Sequence, residues 1–322
     1  MIDLKKFPKV ELHLHLDGSV NLQLASKILN KDIETIKKDM VAPSKCHDLN
    51  DYLTKFSLPV SIMQTKENLE LISEKLGEDL IDDGVIYAEI RFAPIKHTTI
   101  LSLDSVVESV LSGLKKVPLK TNLILCLMRD SSFEDNKKII DLAKKYLNKG
   151  VCAIDLAGAE GIYKTSEFEE LFKIAKDLNI PFTIHAGEAD GEGSINSAIN
   201  FGTTRIGHGI RCIENIDVMK RIKDKNITLE ICPTSNVQTN AVTTYQKHPI
   251  KFLYENDIKV TINTDNRTVS NVTLTEEYEK LIETFNFTLE DIKKMNVNAI
   301  NCSFLNDNEK KKLLDEYLNI IN

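Results

Sequence analysis

Two histidines one residue apart stand out in VELHLHLDGS, residues 10–19, in a chain that holds only seven. Side chains at i and i+2 of a strand project to one face, so His13 and His15 would point together while Leu12, Leu14 and Leu16 take the opposite side. A single histidine in a strand is ordinarily a hydrogen-bonded core residue. Two neighbouring imidazoles on a buried face each need a partner, and a metal ion serves both. Three more groups end apolar runs: His185 in TIHAGEADG, His208 in RIGHGI and Asp265 in TINTDNR. Chance could place one or two such groups at one rim of a fold, but five from four strands would be unusual. His13, His15, His185 and Asp265 supply three nitrogens and one oxygen. That set suits zinc, with iron(II), manganese or cobalt as alternatives, and leaves a position open for water, whose pKa zinc lowers to about 7. Glu188, three residues past His185, could place a carboxyl beside that water as a proton donor without ligating. Helix capping or a solvated loop charge is its plainer alternative. His47, His97 and His248 lack this context and read as loop or surface residues, although His97 follows the second apolar run and could lie near the rim.

These groups need a scaffold that brings strand ends together. Eight short runs rich in β-branched residues recur, at 9–16, 85–93, 121–129, 151–157, 181–187, 204–210, 227–233 and 258–264. Between them lie stretches of helical periodicity, such as TKENLELISEKLGEDLIDDG and NKKIIDLAKKYLNKG, several ending in a Lys-rich turn followed by Gly or Asn. Alternating strands and helices imply parallel βαβ units. Eight of them fit an α/β fold of the closed (β/α)8 TIM-barrel type better than an open sheet. Active sites of such barrels sit at the carboxyl ends of the strands. The first crossover, 17–84, is too long for one helix and is expected to carry extra helices near 20–29 and 48–57 over the barrel mouth. The segment 275–322 reads as a helical tail. No linker, repeat or low-complexity tract interrupts the chain, so residues 1–322 are expected to form one domain.

Composition narrows the field. The chain has 322 residues, 42% hydrophobic and 28% charged, with a formal net charge of −7, which speaks against nucleic acid as the partner. No stretch approaches 18 consecutive apolar residues, and the start, MIDLKKFPKVELHLHL, lacks the apolar core of a signal peptide. Six scattered cysteines without a CxxC read as reduced, buried thiols, and a cytoplasmic location is expected. Binuclear centres on similar barrels use a bridging group, often a modified lysine on the fourth strand; IDLAGAE has none, so one metal ion per chain is expected. CPTSN, 232–236, reads as a proline turn whose Ser235 and Asn236 bond local backbone and buttress the rim. Arg91 reads as a buried ion-pair partner of Glu89 or Asp17.

Taken in order, HLHLDGS, YAEIRFAP, DLAGAEG, HAGE, RIGHG, CPTSN and NTDN resemble the adenosine deaminase family of the amidohydrolase superfamily. The resemblance runs from about residue 7 to residue 275. It implies that His13, His15, His185 and Asp265 bind zinc, that Glu188 is the proton donor, and that His208 stands beside the activated water with Asp265. It also implies that Asp17 meets the ribose, that the Gly158 N–H reaches purine N3, and that His15 lies against the substrate as well as the ion. Many family members carry two adjacent aspartates at the eighth strand, the second bonding purine N7. Here the pair is Asp265-Asn266, and an Asn amide donates to N7 without needing a shifted pKa.

The implied reaction is hydrolysis of adenosine, and of 2′-deoxyadenosine, to inosine and ammonia, in purine salvage. Glu188 protonates N1 and a zinc-activated water adds to C6. The expected partner is a free purine nucleoside, with no nucleic acid and no membrane, acted on by a monomer or weak homo-oligomer. Adenine deaminase and deaminase of a modified nucleoside such as 5′-methylthioadenosine are the alternatives, with another amidohydrolase chemistry or a catalytically dead relative behind them. Asp17 in HLDGS favours the nucleoside over the free base, and a dead relative would be expected to lack Glu188 or a zinc ligand.

Overall fold

The computed structural model describes residues 3–321. Its eight strands are β1 (Lys9–His15), β2 (Val85–Phe92), β3 (Lys120–Met128), β4 (Val151–Ala157), β5 (Thr183–Ala186), β6 (Arg205–His208), β7 (Thr228–Ile231) and β8 (Val260–Ile262). Every expected apolar run overlaps one of them, β3 starting one residue before its run. All pairings are parallel, and two hydrogen-bonded arcs, β1–β4 and β5–β8, meet along two seams to close a (β/α)8 barrel. At one seam the Ile154 N–H donates to Pro181 O at 3.0 Å. At the other, just past β8, His15 N–H donates to Asp265 O at 2.7 Å and Asp265 N–H to His13 O at 3.0 Å. Lower on that seam a side chain replaces backbone pairing: Asn263 Oδ1 accepts from Leu12 N at 2.9 Å and His13 N at 3.1 Å. This matters for function, because the seam locks the two-histidine strand to the segment carrying Asp265.

Strand β1 is buried along its whole length, which is what a barrel covered by helices demands of a parallel strand. The helices follow the amphipathic rule. Phe133–Tyr146 begins at the Ser132 cap, whose Oγ accepts from Asp135 N at 3.1 Å, and buries Ile139, Ile140 and Ala143. The long first crossover carries the expected helices at Leu22–Leu29 and at Leu49–Leu53, the latter running on through a 3-10 turn, Thr54–Phe56, into Ser57–Ile62. It also carries a helix not foreseen, Ile33–Met40, short and Lys-rich; it is held by an Asp32 cap and by burial of Ile36 and Met40 one turn apart. Lys66–Asp82 then leads into β2. The tail is three helices, Leu274–Phe285, Leu289–Cys302 and Asp307–Ile321. Asn296 on the second of them accepts the Val10 N–H at 2.8 Å and so pins the tail to β1.

All six cysteines are free thiols, and all but the half-buried Cys302 are buried. No helix among the described residues is long and apolar enough to cross a membrane.

Candidate metal centre and active site

The five groups singled out above converge at the carboxyl rim. His13 and His15 project from β1 into the barrel. His185 comes from β5, His208 ends β6, and Asp265 follows β8. The imidazoles of His13 and His185 lie 4.5 Å apart between ring centroids, and those of His13 and His208 lie 4.9 Å apart. Asp265 Oδ1 is 3.3 Å from His13 Nε2 and 3.4 Å from His15 Nε2, while His15 Nε2 and His185 Nε2 are 3.2 Å apart. One ligand atom each from His13, His185, His208 and Asp265 falls within a 4.8 Å cluster. His15, an expected ligand, falls outside that cluster although its Nε2 stands 3.4 Å from Asp265 Oδ1, and His208, expected beside the ligands, falls within it. His208 and Asp265 both take left-handed backbone, φ 61° and 62°. Such conformations cost about 1–3 kcal/mol each and recur where a site fixes a side chain.

Charged groups below the rim orient these ligands. His13 Nδ1 lies 2.9 Å from Glu230 Oε2. His185 Nδ1 lies 2.9 Å from Asp155 Oδ2, off the line of a good hydrogen bond. Carboxylate–histidine pairs of this kind turn the opposite nitrogen, Nε2, toward a metal. Buried arginines hold the carboxylates in turn. Arg91 donates to Asp155 and to Glu230, each at 2.8 Å, and Arg205 Nε donates to Glu230 Oε1 at 2.6 Å. Burial alone would raise the Glu230 carboxyl, but the two guanidiniums outweigh it and hold it well below the usual range. Arg91 therefore pairs across the barrel with residues of β4 and β7, not with Glu89 or Asp17 as its neighbourhood in sequence suggested. Glu89 pairs with Arg205 instead.

Asp265 is also held ionised. Burial pushes its carboxyl up, yet the His13 imidazole 3.3 Å away and the other surrounding imidazoles pull it well below its usual range. Ser235 Oγ donates to its Oδ2 at 2.6 Å, so CPTSN does buttress the rim, through side chains rather than by bonding its own turn. Burial takes His15 down to about 3, so it stands neutral with one ring-nitrogen lone pair to give. Burial also pushes His208 well down, and the neighbouring His13 adds to the effect. His13 Nε2 is buried without a hydrogen-bond partner. Imidazole nitrogens, one of them orphaned, facing an ionised carboxylate form the donor set of a divalent cation once the rings are neutral.

Glu188 stands on the other side. Its Oε2 lies 3.5 Å from His208 Nε2, and its Oε1 accepts from Thr239 Oγ1 at 2.9 Å. Burial, then the nearby carboxylates Asp265 and Glu160, raise it well above the ordinary glutamate value, which favours the protonated form a proton donor needs. The loop that carries it is clamped by Glu160. The Glu160 carboxylate accepts backbone N–H groups from Gly187 (2.6 Å), Glu188 (3.0 Å), Ala189 (2.7 Å) and Asp190 (3.0 Å), and Ser194 Oγ at 2.5 Å. Sequence reasoning assigned no role to Glu160, although it lies two residues beyond Gly158 in the DLAGAEG segment.

A cavity of about 340 Å3 opens above the cluster, within the usual range for a small-molecule pocket. His15, Asp17, Gly158, His185, Glu188, His208, Asp265 and Asn266 all line it. Leu49, Tyr52, Leu53, Phe56 and Val60 from the crossover helices form an apolar wall. Asp17 Oδ1 is buried with no partner and lies 4.0 Å from His15 Nδ1, so it can accept a bond from a ligand. Gly158 has φ +104°, a left-handed turn that brings backbone to the cavity wall. Asn266 Oδ1 packs on Gly18 so closely that a Cβ there would overlap it, which accounts for the glycine in HLDGS.

Two of the three histidines set aside in sequence are buried. His97 closes the 3-10 turn Pro94–His97 with Nε2 3.9 Å from Asp17 Oδ2, and packs on Phe92. His248 bonds Asn236, which bonds His208. Only His47 is at the surface. Loop residues turn inward for tertiary reasons that flanking sequence does not encode.

A parallel eight-stranded barrel with a histidine–carboxylate cluster and a further buried carboxyl beside it at the carboxyl rim defines a metal-dependent hydrolase of the amidohydrolase type. The family model described as adenosine deaminase matches residues 8–320, and the chain belongs to that family. It is 40% identical to an adenosine deaminase of Clostridium perfringens over 97% of this chain and 98% of that one. It is 41% identical to one of Haemophilus ducreyi over 98% and 96%. Among solved structures it superposes on an adenine deaminase from Arthrobacter aurescens with a TM-score of 0.86 at 27% identity, covering 98% of this chain and 99% of that one.

Proposed function

We propose that the protein hydrolyses adenosine, and 2′-deoxyadenosine, to inosine and ammonia. The observation that carries this reading is the opposition, across one cavity, of the ligand cluster around Asp265 and the buried carboxyl of Glu188, whose pKa is raised. His13, His15, His185 and Asp265 would hold one zinc ion per chain. Bound there, zinc would lower the pKa of a water to about 7 and would supply hydroxide at neutral pH. Glu188 gives its proton to purine N1, which weakens the ring's aromaticity and makes C6 electrophilic. His208 and Asp265 orient the water that adds to C6; one proton of that water restores Glu188 and the other passes to the amino group, which leaves as ammonia as the C6 carbonyl forms. Asp17 accepts a ribose hydroxyl, the Gly158 N–H donates to N3, and the Asn266 amide donates to N7. The apolar wall from Leu49 to Val60 covers the ring and keeps bulk water out. We read the chain as one catalytic domain, since a single buried core extends from Phe7 to Tyr317.

The likeness to an adenine deaminase keeps the free base as a second reading. Against it stands the unpartnered Asp17 Oδ1, which adenine has no sugar to satisfy. Purified protein is mixed separately with adenosine, adenine, AMP and 5′-methylthioadenosine, and the purine absorbance is followed with and without a chelator. Rapid change with adenosine, abolished by the chelator, is expected. Faster turnover of adenine or of a 5′-modified nucleoside would replace this reading.

A further inference from the structure

We propose that the backbone N–H of Ile250 dictates, through His248 and Asn236, which ring nitrogen of His208 carries its proton. The chain of groups begins with a donor whose polarity is fixed. Ile250 N–H donates to His248 Nδ1 at 3.1 Å, so Nδ1 is the acceptor and, in a neutral ring, Nε2 bears the hydrogen. His248 Nε2 lies 3.1 Å from Asn236 Oδ1, which only accepts. The amide is thereby turned so that Nδ2, which only donates, faces His208 Nδ1 at 2.9 Å. His208 Nδ1 is then the acceptor, and its proton sits on Nε2, 3.5 Å from Glu188 Oε2. All three side chains are 3% exposed or less, so bulk water does not compete for these groups. Burial also lowers His248 to about 3, which keeps it neutral.

The consequence is chemical. Four imidazoles crowd one carboxylate, and proximity alone does not separate His208 from the ligands. A protonated Nε2 has no lone pair for a cation. His208 therefore meets the reacting centre as a hydrogen-bond donor, able to bind the oxygen of the attacking water but not to ligate the metal. His248 touches neither substrate nor reacting atoms, and Asn236, whose side chain also stands beside the Glu188 carboxyl, acts on His208 through its amide; both are positioning residues.

The test uses the purified protein with its metal, labelled with ¹⁵N-histidine, and long-range ¹⁵N–¹H correlation spectra, with His208 assigned from its absence in His208→Gln. The expected result is a His208 ring protonated on Nε2. In Asn236→Asp the carboxylate accepts from both neighbours, so the His208 proton should move to Nδ1. There kcat should fall about 100-fold or more, as expected of a wrong tautomer, with KM within about twofold. His248→Phe fills the space without a donor and should lower kcat about tenfold, whereas His248→Gln restores an N–H and should recover most of it. A merely space-filling role would not separate Phe from Gln, nor move the proton on His208. The proposal is overturned if wild-type His208 is protonated on Nδ1, if Asn236→Asp leaves it on Nε2, or if His248→Phe turns over at the wild-type rate. Should Asn236→Asp fail to fold, the wild-type spectrum and the His248 pair decide. The kinetic arm rests on the deaminase reading, and the tautomer does not. A wild-type protein inactive on adenosine would sink the former, while the spectrum would still decide the latter.

Discussion

Replacing Glu160 by Gln tests whether the loop carrying Glu188 is held by one carboxylate. Oε1 takes the Gly187 N–H and the Ser194 hydroxyl, and Oε2 takes the N–H groups of Glu188, Ala189 and Asp190. The Gln amide loses least by keeping its oxygen on the three-donor side, because Ser194 can rotate to accept from the new NH2. The Gly187 N–H is then orphaned, at about 1–3 kcal/mol, and three charge-assisted bonds become neutral ones, at about 1 kcal/mol each. Ala189 and Asp190 are half-buried and recover part of this from water. The net cost is about 2–4 kcal/mol. At an unfolding entropy of roughly 0.7 kcal/mol per kelvin for a chain of this length, that is about 3–6 °C in Tm. If part of the strain is relieved by loop movement, Glu188 shifts, and a displacement near 1 Å costs about 100-fold in rate. Thermal unfolding, initial deamination rates and metal content are measured on both proteins. Lower Tm and lower kcat at unchanged metal content are expected. Unchanged Tm and unchanged kcat would refute the clamp.

Other outcomes follow from the same geometry. Glu188→Gln should keep its metal and fold and lose about 100- to 10,000-fold in kcat, checked by steady-state rates beside elemental analysis; near-normal turnover would remove Glu188 as the proton donor. Ser235→Ala deletes the 2.6 Å bond to Asp265 and should weaken metal affinity about 10- to 100-fold in chelator competition, whereas equal retention would make that bond idle. Metal affinity should also fall as pH drops. Burial and Arg91 push the His13 pKa down, but the flanking carboxylates Asp265 and Glu230 outweigh them and raise it, so as pH falls the proton competes with the ion. Affinity measured at pH 8, 7 and 6 should decline, steepening toward about tenfold per unit, and a flat profile would contradict this.

Much of the site was visible in residue spacing, because strand periodicity is strict. His13 and His15 share a face for the same reason that Leu12 and Leu14 share the other, and an apolar run ending in His or Asp marks a rim position on a parallel barrel. What spacing does not encode is pairing across the barrel. Arg91 finds Asp155 and Glu230 only because β2 faces β4 and β7 through the interior. Loop conformation was likewise hidden. His97 and His248 looked like surface residues because Pro94 and Pro249 announce turns without saying which way the next side chain points, and Asn236 reads as a turn residue until His248 and His208 flank it. Glu160 was in plain view within DLAGAEG, but its partners are backbone N–H groups of a later loop, which no side-chain pattern reveals.

The central claim is that one divalent ion sits among His13, His15, His185 and Asp265, with His208 and Glu188 beside it but unbound. Anomalous diffraction at the zinc edge, from crystals of the protein as purified, tests it most directly. The account predicts a single peak about 2.0–2.2 Å from Nε2 of His13, His15 and His185 and from an oxygen of Asp265. A peak ligated by His208 in place of His15, two peaks in the cluster, or full activity in crystals and solution with no peak at all would contradict it.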